Sequence, residues 1–266
     1  MSNRLTCSHK PIMLNVSLLS DYLGKHDCGK SYSVSIVAKW KARTSVHMQE
    51  VKRIKELILA STSPRRKILI ARLGLPVKFV VPNSFETPPL FGESPERYVS
   101  RMAVLKATCA GDNIEDSQLV VASDTSVVVN GKILGKPESA GHAREMLREL
   151  RGTTHTVITS IVVSDYHGEL CSVTRKSLIH MRKYFDMEID KYIATGDPMD
   201  KAGGYAIQSK VFKPVERVEG CYTSVVGLPV CALSRILFKK GVLKGITPCG
   251  DQIDAREFST RAVTLR

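Results

Sequence analysis

Residues 57–66 read LILASTSPRR, and how this stretch is read decides the fold. The uninterrupted apolar residues Leu57 to Ala60 suit a strand buried on both faces, as in a sheet with helices on each side. Small hydroxyl residues then interrupt the run. Ser63 stands where a helix N-cap is expected, and Pro64 falls at the first helical position, where its missing N–H costs nothing. Ile68, Leu69 and Leu73 are spaced to bury one face of the helix that follows, with Gly74 as its stop. A helix N-terminus presents unpaired N–H groups and a positive dipole end, so the loop can hold an anion. Arg65 and Arg66 carry planar forks that match phosphate oxygens, which turns an anion site into a phosphate site. A capped surface helix with two solvated arginines fits the same residues, so the rest of the chain must decide.

The next segments read alike, apolar runs ending in chemistry. Val77 to Val81 predicts a second strand, leading into the loop PNSFET, whose one acid is Glu86. From Ser94, SPERYVSRMAVLKATCAG predicts a helix capped by Ser94, with Tyr98, Met102 and Leu105 inward and Lys106 beside that face, by default a snorkelling surface lysine. Leu119 to Asp124, LVVASD, predicts a buried strand that finishes on a carboxylate. Because ligands in α/β sheets bind beyond the carboxyl ends of strands, Asp124, followed by Thr125, is a candidate metal ligand or general base; an Asp that begins a turn is the competing reading. Asn130-Gly131 between apolar runs signals a hairpin, and its return brings Lys136 back toward Asp124, where a fixed cation can neutralise phosphate charge.

Beyond the hairpin, Ala140 to Leu150 predicts a helix with Ala143, Met146, Leu147 and Leu150 inward and Gly152 as terminator. His155, ahead of a strand from Thr156 to Val163, is read as structural rather than catalytic. Asp186 to Thr195 predicts another helix, stopped at Gly196. In DPMDKAGGYAIQ, paired glycines permit close backbone approach, and Gln208 can read a base edge with one donor and one acceptor. The last predicted helix is Pro229 to Phe238.

The whole chain sets outer bounds. Its 266 residues allow one large domain or two modest lobes. No run approaches the ~18 apolar residues of a membrane span. The cysteines, at 7, 28, 109, 171, 221, 231 and 249, are odd in number and lack C-x-x-C spacing, which favours free thiols over a disulfide scaffold or a structural zinc site. Of the net charge of +13, residues 1–56 hold +6, residues 239–266 hold +3 and the middle only +4. No basic stripe interleaved with aromatics appears, which argues against a nucleic-acid surface. Residues 1–47 read as a transit-type presequence, a disordered arm or unused upstream sequence. Within them GKHDCGKS (24–31) satisfies the P-loop pattern but lacks a buried strand before it and a helix after it, and is read as a chance match. Residues 241–266 read as a polar tail.

Taken in order, LILASTSPRRKIL, RYVSRMAVLKA, VVASDTSVVVNGKILGKP, MLREL with HTVITSIVV, and DKAGGYAIQ with VVGLP resemble the Maf family of nucleoside triphosphate pyrophosphatases, from about Leu57 to Phe238. The resemblance implies a Maf-like domain over 48–240. It also implies a mixed sheet in an elongated, two-lobed α/β fold, ITPase-like, with the active site in the cleft between lobes. The implied reaction cuts a triphosphate between its α and β phosphates with a divalent cation, Mg²⁺ or Mn²⁺. By position, Asp124 is the proton acceptor that activates water, and Glu86 helps Asp124 hold the metal. Ser61, Arg65, Arg66, Lys106 and Lys136 hold the phosphates, Lys136 also being assigned to catalysis, and Arg65, Thr125 and Gln208 bear on base selectivity. Arg65 and Gln208, kept here, point to the dTTP/UTP branch; the methylated-GTP branch tends to carry Tyr and Glu there. A cytoplasmic homodimer is the family expectation, with organellar targeting by residues 1–47 as the variant. The alternatives are a non-catalytic regulator of cell division and a pyrophosphatase of the methylated-GTP branch. Departures from the family pattern are Phe85, Ala122-Ser123, Arg151 and Ser209.

Overall fold

The structure, a computed structural model, describes residues 54–84, 86–111 and 114–249. The readings of residues 1–47, of the P-loop match, of Phe85 and of the end of the tail lie outside the described residues.

The stretch that opened the sequence forms β1 (Glu56–Ala60) and α1 (Pro64–Ala71). β1 lies parallel to β2 (Val77–Val80) on one side and to β3 (Gln118–Val129) on the other. β3 also pairs antiparallel with β4 (Lys132–Leu134) through a turn at Asn130 and Gly131, both at positive φ, as a two-residue hairpin of this type requires. Antiparallel β5 (Thr154–Ser164), β6 (Leu170–Met181) and β7 (Val215–Glu219) complete a seven-stranded mixed sheet in the order β2-β1-β3-β5-β6-β7. The helices are α2 (Pro95–Ala110), α3 (Ala140–Leu150), α4 (Asp186–Ile193), α5 (Tyr222–Val226) and α6 (Val230–Lys239). Among the described residues no helix is long and apolar enough to cross a membrane.

Alternation along the strands sorts the core. Ile58, Ala60, Val120 and Ala122 face α2, meeting Ala103, Val104 and Ala107. On the opposite face Leu57, Leu59, Leu119 and Val121 pack with Leu69 and Ile70 of α1 and Leu233, Ile236 and Leu237 of α6. Farther along β3, Val127 and Val129 enter a separate cluster with Leu147 and Leu150 of α3, Ile179 of β6 and Ile189 and Tyr192 of α4. β3 therefore contributes to all three apolar clusters, and between its first two and its third it carries Ser123, Asp124, Thr125 and Ser126.

Several expectations need correction. β3 does not finish on Asp124 but continues to Val129. β1 stops at Ala60, opposite Ala122, while β5 stays paired with β3 from Val120 to Val128 and supplies the hydrogen bonds that keep it extended. Asp124 thus lies just beyond the carboxyl end of β1, its neighbour, rather than of its own strand. In α1 the inward residues are Leu69 and Ile70, whereas Ile68 is 62% exposed. In α2 the buried residues are Val99, Met102, Ala103, Val104, Lys106 and Ala107; Met102 is inward as expected, Tyr98 and Leu105 are only half buried, and Lys106 is buried and not a surface lysine. The α3 face is as predicted. Residues 241–249 do not hang free as a tail: after Gly241 at positive φ, Val242 and Leu243 pack against the α6 cluster. Strands β6 and β7 have no clear signal in sequence because both are half exposed and carry charges, Arg175 and Lys176 in one, Glu216 and Arg217 in the other.

Candidate active site

One cleft of about 500 Å³ opens where β1 ends, and all nine residues singled out from the sequence line it: Ser61, Arg65, Arg66, Glu86, Lys106, Asp124, Thr125, Lys136 and Gln208. Its floor is the polar middle of β3. Its walls come from the β1–α1 loop, the Glu86 loop, α2, the β4–α3 loop and the segment after α4.

Buried Asp124 is held from α2. Lys106 Nζ donates to Asp124 Oδ1 at 2.6 Å and to Glu86 Oε1 at 3.2 Å. Lys136 reaches the same Glu86 oxygen at 3.5 Å, so the two lysines and two acids form one chain across the cleft. Burial raises the Glu86 pKa, but the neighbouring Lys106 and Lys136 ammoniums outweigh it and hold the carboxyl below its usual range. Burial and the Asp124 charge both push the Tyr98 phenol up from the cleft wall. A carboxylate pair gathered on one ammonium is a hard-oxygen donor set. It fits Mg²⁺ or Mn²⁺, which bind through one or two carboxylates and take further oxygens from substrate phosphates.

The arginines divide the other side. Arg66 Nε donates to the Gly227 carbonyl at 2.8 Å and Nη2 to Thr125 Oγ1 at 3.2 Å. Burial lowers the Arg66 pKa while Asp124 works in the opposite sense. Thr159 Oγ1 donates to the Ser224 carbonyl at 2.7 Å and lies in hydrogen-bond contact with Thr125 Oγ1 at 3.0 Å, tying the floor to α5. Arg65 points elsewhere, to Asp200 Oδ2 at 3.3 Å. Lys201, beside it, is buried and held by Asp197 and Asp200 at 2.8 and 2.6 Å. Ser63 occupies the N-cap position of α1 with extended backbone, but its side chain makes no cap bond. The first-turn N–H groups are thereby left without that acceptor. Ser61, buried, accepts from the Ser63 amide at 3.2 Å. Gln208 is exposed at the rim.

The family departures acquire different meanings. Ser123 Oγ donates to the Gly227 carbonyl at 2.8 Å, so that one oxygen serves both Ser123 and Arg66. Arg151 bonds Asp186 and the Tyr184 carbonyl, and Ser209 accepts from the Phe212 amide; neither lines the cleft. His155 is buried, with Nε2 2.7 Å from the Tyr205 hydroxyl, in keeping with a structural role. Sequence reasoning missed Thr159, Asp200 as the partner of Arg65, and Gly227 as the acceptor shared by two site elements. Each nonetheless lies in a motif block, Thr159 in HTVITSIVV, Asp200 at the head of DKAGGYAIQ and Gly227 in VVGLP, but nothing in those blocks says which partner each one meets.

Residues 56–240 match the family model described as Maf-like protein. The dTTP/UTP pyrophosphatase of Pelotomaculum thermopropionicum is 42% identical over 189 residues, covering 71% of this chain and 98% of that protein. The dTTP/UTP pyrophosphatase of Dictyoglomus thermophilum is 41% identical over 189 residues, covering 70% of this chain and 97% of that protein. Among solved structures, the Staphylococcus aureus Ham1 protein is 17% identical, covering 59% of this chain and 88% of that chain, with a TM-score of 0.34.

Proposed function

This chain belongs to the Maf family, and from that premise we propose that it is a nucleoside triphosphate pyrophosphatase acting on dTTP and UTP, releasing the monophosphate and pyrophosphate. The observation that carries the reading is the buried Asp124 carboxylate, bonded to Lys106 and set in a cleft that Arg65, Arg66 and Lys136 also line. A buried carboxylate among cations suits in-line attack by water on a polyanion, where catalysis is mostly positioning and charge neutralisation.

Lys106 holds Asp124 Oδ1, which leaves Oδ2 to orient a water and take its proton as the water oxygen bonds to phosphorus and the bridging P–O bond breaks. Arg66 and the first turn of α1 grip the phosphates, with Ser61 beside them. Lys136, tethered through Glu86, neutralises charge growing on the pyrophosphate leaving group. Arg65, Thr125 and Gln208 lie toward the base. Glu86 and Asp124 would hold a divalent cation, which supplies further neutralisation of phosphate charge when bound. A homodimer working in the cytoplasm is the expected setting.

The test is a nucleotide panel assayed for pyrophosphate. Pyrophosphate and dTMP from dTTP support the reading, and release of single phosphate instead overturns it.

A further inference from the structure

Three cysteines, none of which lines the cleft, meet beside α6. Cys221 precedes α5, Cys231 lies in the first turn of α6, and Cys249 lies in the segment that follows α6. Their sulfurs all lie within 4.8 Å of one another, and the Cys221 and Cys231 sulfurs are 3.6 Å apart. Cys221 and Cys231 are buried, and Cys249 is half buried.

The backbone is arranged to bring the third thiol in. After Gly241 the chain doubles back along α6. The Val242 amide donates to the Leu237 carbonyl at 2.8 Å, and the Thr247 amide to Ser234 Oγ at 3.0 Å; Ser234 Oγ in turn donates to the Cys231 carbonyl at 3.1 Å. Each contact lies about one turn nearer the start of α6, which ends with Cys249 over Cys231.

We propose that Cys221, Cys231 and Cys249 form a thiolate site for a thiophilic metal ion, zinc in the first instance. Zinc bonded to sulfur at about 2.3 Å sets its ligand sulfurs about 3.8 Å apart, close to the 3.6 Å between the Cys221 and Cys231 sulfurs. A disulfide needs about 2.05 Å and uses only two of the three sulfurs. Three soft donors select zinc or copper(I) over the hard cations that suit Glu86 and Asp124. A water entering beside half-buried Cys249 completes a tetrahedron. Metal bound there pins the returning segment to α6 and fixes the start of α5, whose far end presents the Gly227 carbonyl to Arg66 and Ser123.

The experiment titrates reduced, metal-free, full-length protein with Zn²⁺ in excess Mg²⁺, and separately with Co²⁺ as an optical probe. The expected result is one Zn²⁺ retained per chain, thiolate-to-cobalt charge-transfer absorption, and a zinc-dependent rise in unfolding temperature. All three should vanish in Cys249→Ser, whose circular dichroism without metal should match the parent chain, and persist in Asp124→Asn. Cobalt binding without the charge-transfer absorption, zinc retention unchanged by Cys249→Ser, or a Cys221–Cys231 disulfide in the purified protein in place of metal would overturn the site.

Discussion

The Lys106 ammonium lies 2.6 Å from Asp124 Oδ1, with 11% of each side chain exposed. A pair this far from water gains from its Coulomb attraction only while both members are present. Removing one leaves a buried charge uncompensated, at a cost of about 3–5 kcal/mol. Stability and chemistry therefore meet in the same contact.

Asp124→Asn keeps an oxygen for Lys106 but cannot take a proton from water. Steady-state assays should show kcat for pyrophosphate release down by roughly 10²–10⁴, the range of a lost general base. Denaturant unfolding should show a smaller loss of stability than for Asp124→Ala. Equal activity in Asp124→Asn and the parent chain would remove Asp124 from the chemistry.

Arg66 spans Gly227 and Thr125 with separate nitrogens of one planar fork. Lysine carries the same charge without the fork. Arg66→Lys should raise KM for dTTP several-fold with a smaller change in kcat, and steady-state kinetics at fixed Mg²⁺ reads both.

Gly227 has φ 121°, and a Cβ placed there meets Arg66 Nε at 3.2 Å. Gly227→Ala should destabilise the chain by about 1–3 kcal/mol through backbone strain, and should weaken substrate binding by displacing Arg66. Urea unfolding and KM together check it; a change in neither would mean that the turn relaxes freely.

His155 titrates at about 4 because burial disfavours its cation, with His180 adding to the effect. The unfolded chain binds this proton near 6.5 and the folded chain only near 4, so between those values the unfolded state holds more protons. Stability is full above about pH 6.5 and falls as the pH drops toward 4, by on the order of 3 kcal/mol from this residue. His155→Gln should flatten that part of the stability profile, measured by urea unfolding at successive pH values.

Much of the site was legible because its residues sit at the ends of apolar runs. LILA stops at Ser61, LVVA at Ser123 and Asp124, and the hairpin turn at Asn130-Gly131 fixes where Lys136 returns. The helix faces were read less well. Ile68 and Leu105 are apolar and correctly spaced, yet α1 and α2 turn other residues inward, because packing against two strands chooses among faces that periodicity leaves nearly equal. For the same reason Lys106 looked like a surface lysine, since nothing local announces a carboxylate on another strand.

By itself the sequence determined the strand–loop–helix at 57–71, the hairpin, the inward face of α3 and, through ordered motifs, the set of residues that line the cleft. The first three are local and follow from chain stiffness, turn chemistry and hydrophobic period; the last rests on the family resemblance of the ordered motifs. The tertiary structure alone decided that β3 runs past Asp124 into a further apolar cluster, that Arg65 turns to Asp200 while Arg66 turns to Gly227, and that Cys221, Cys231 and Cys249 converge. Each of those depends on which distant segments pack together, and spacing along the chain carries no record of it. The cysteines, whose spacing argued against a metal site, show the difference most plainly, since a helix and a doubled-back segment bring together in space what the chain holds apart.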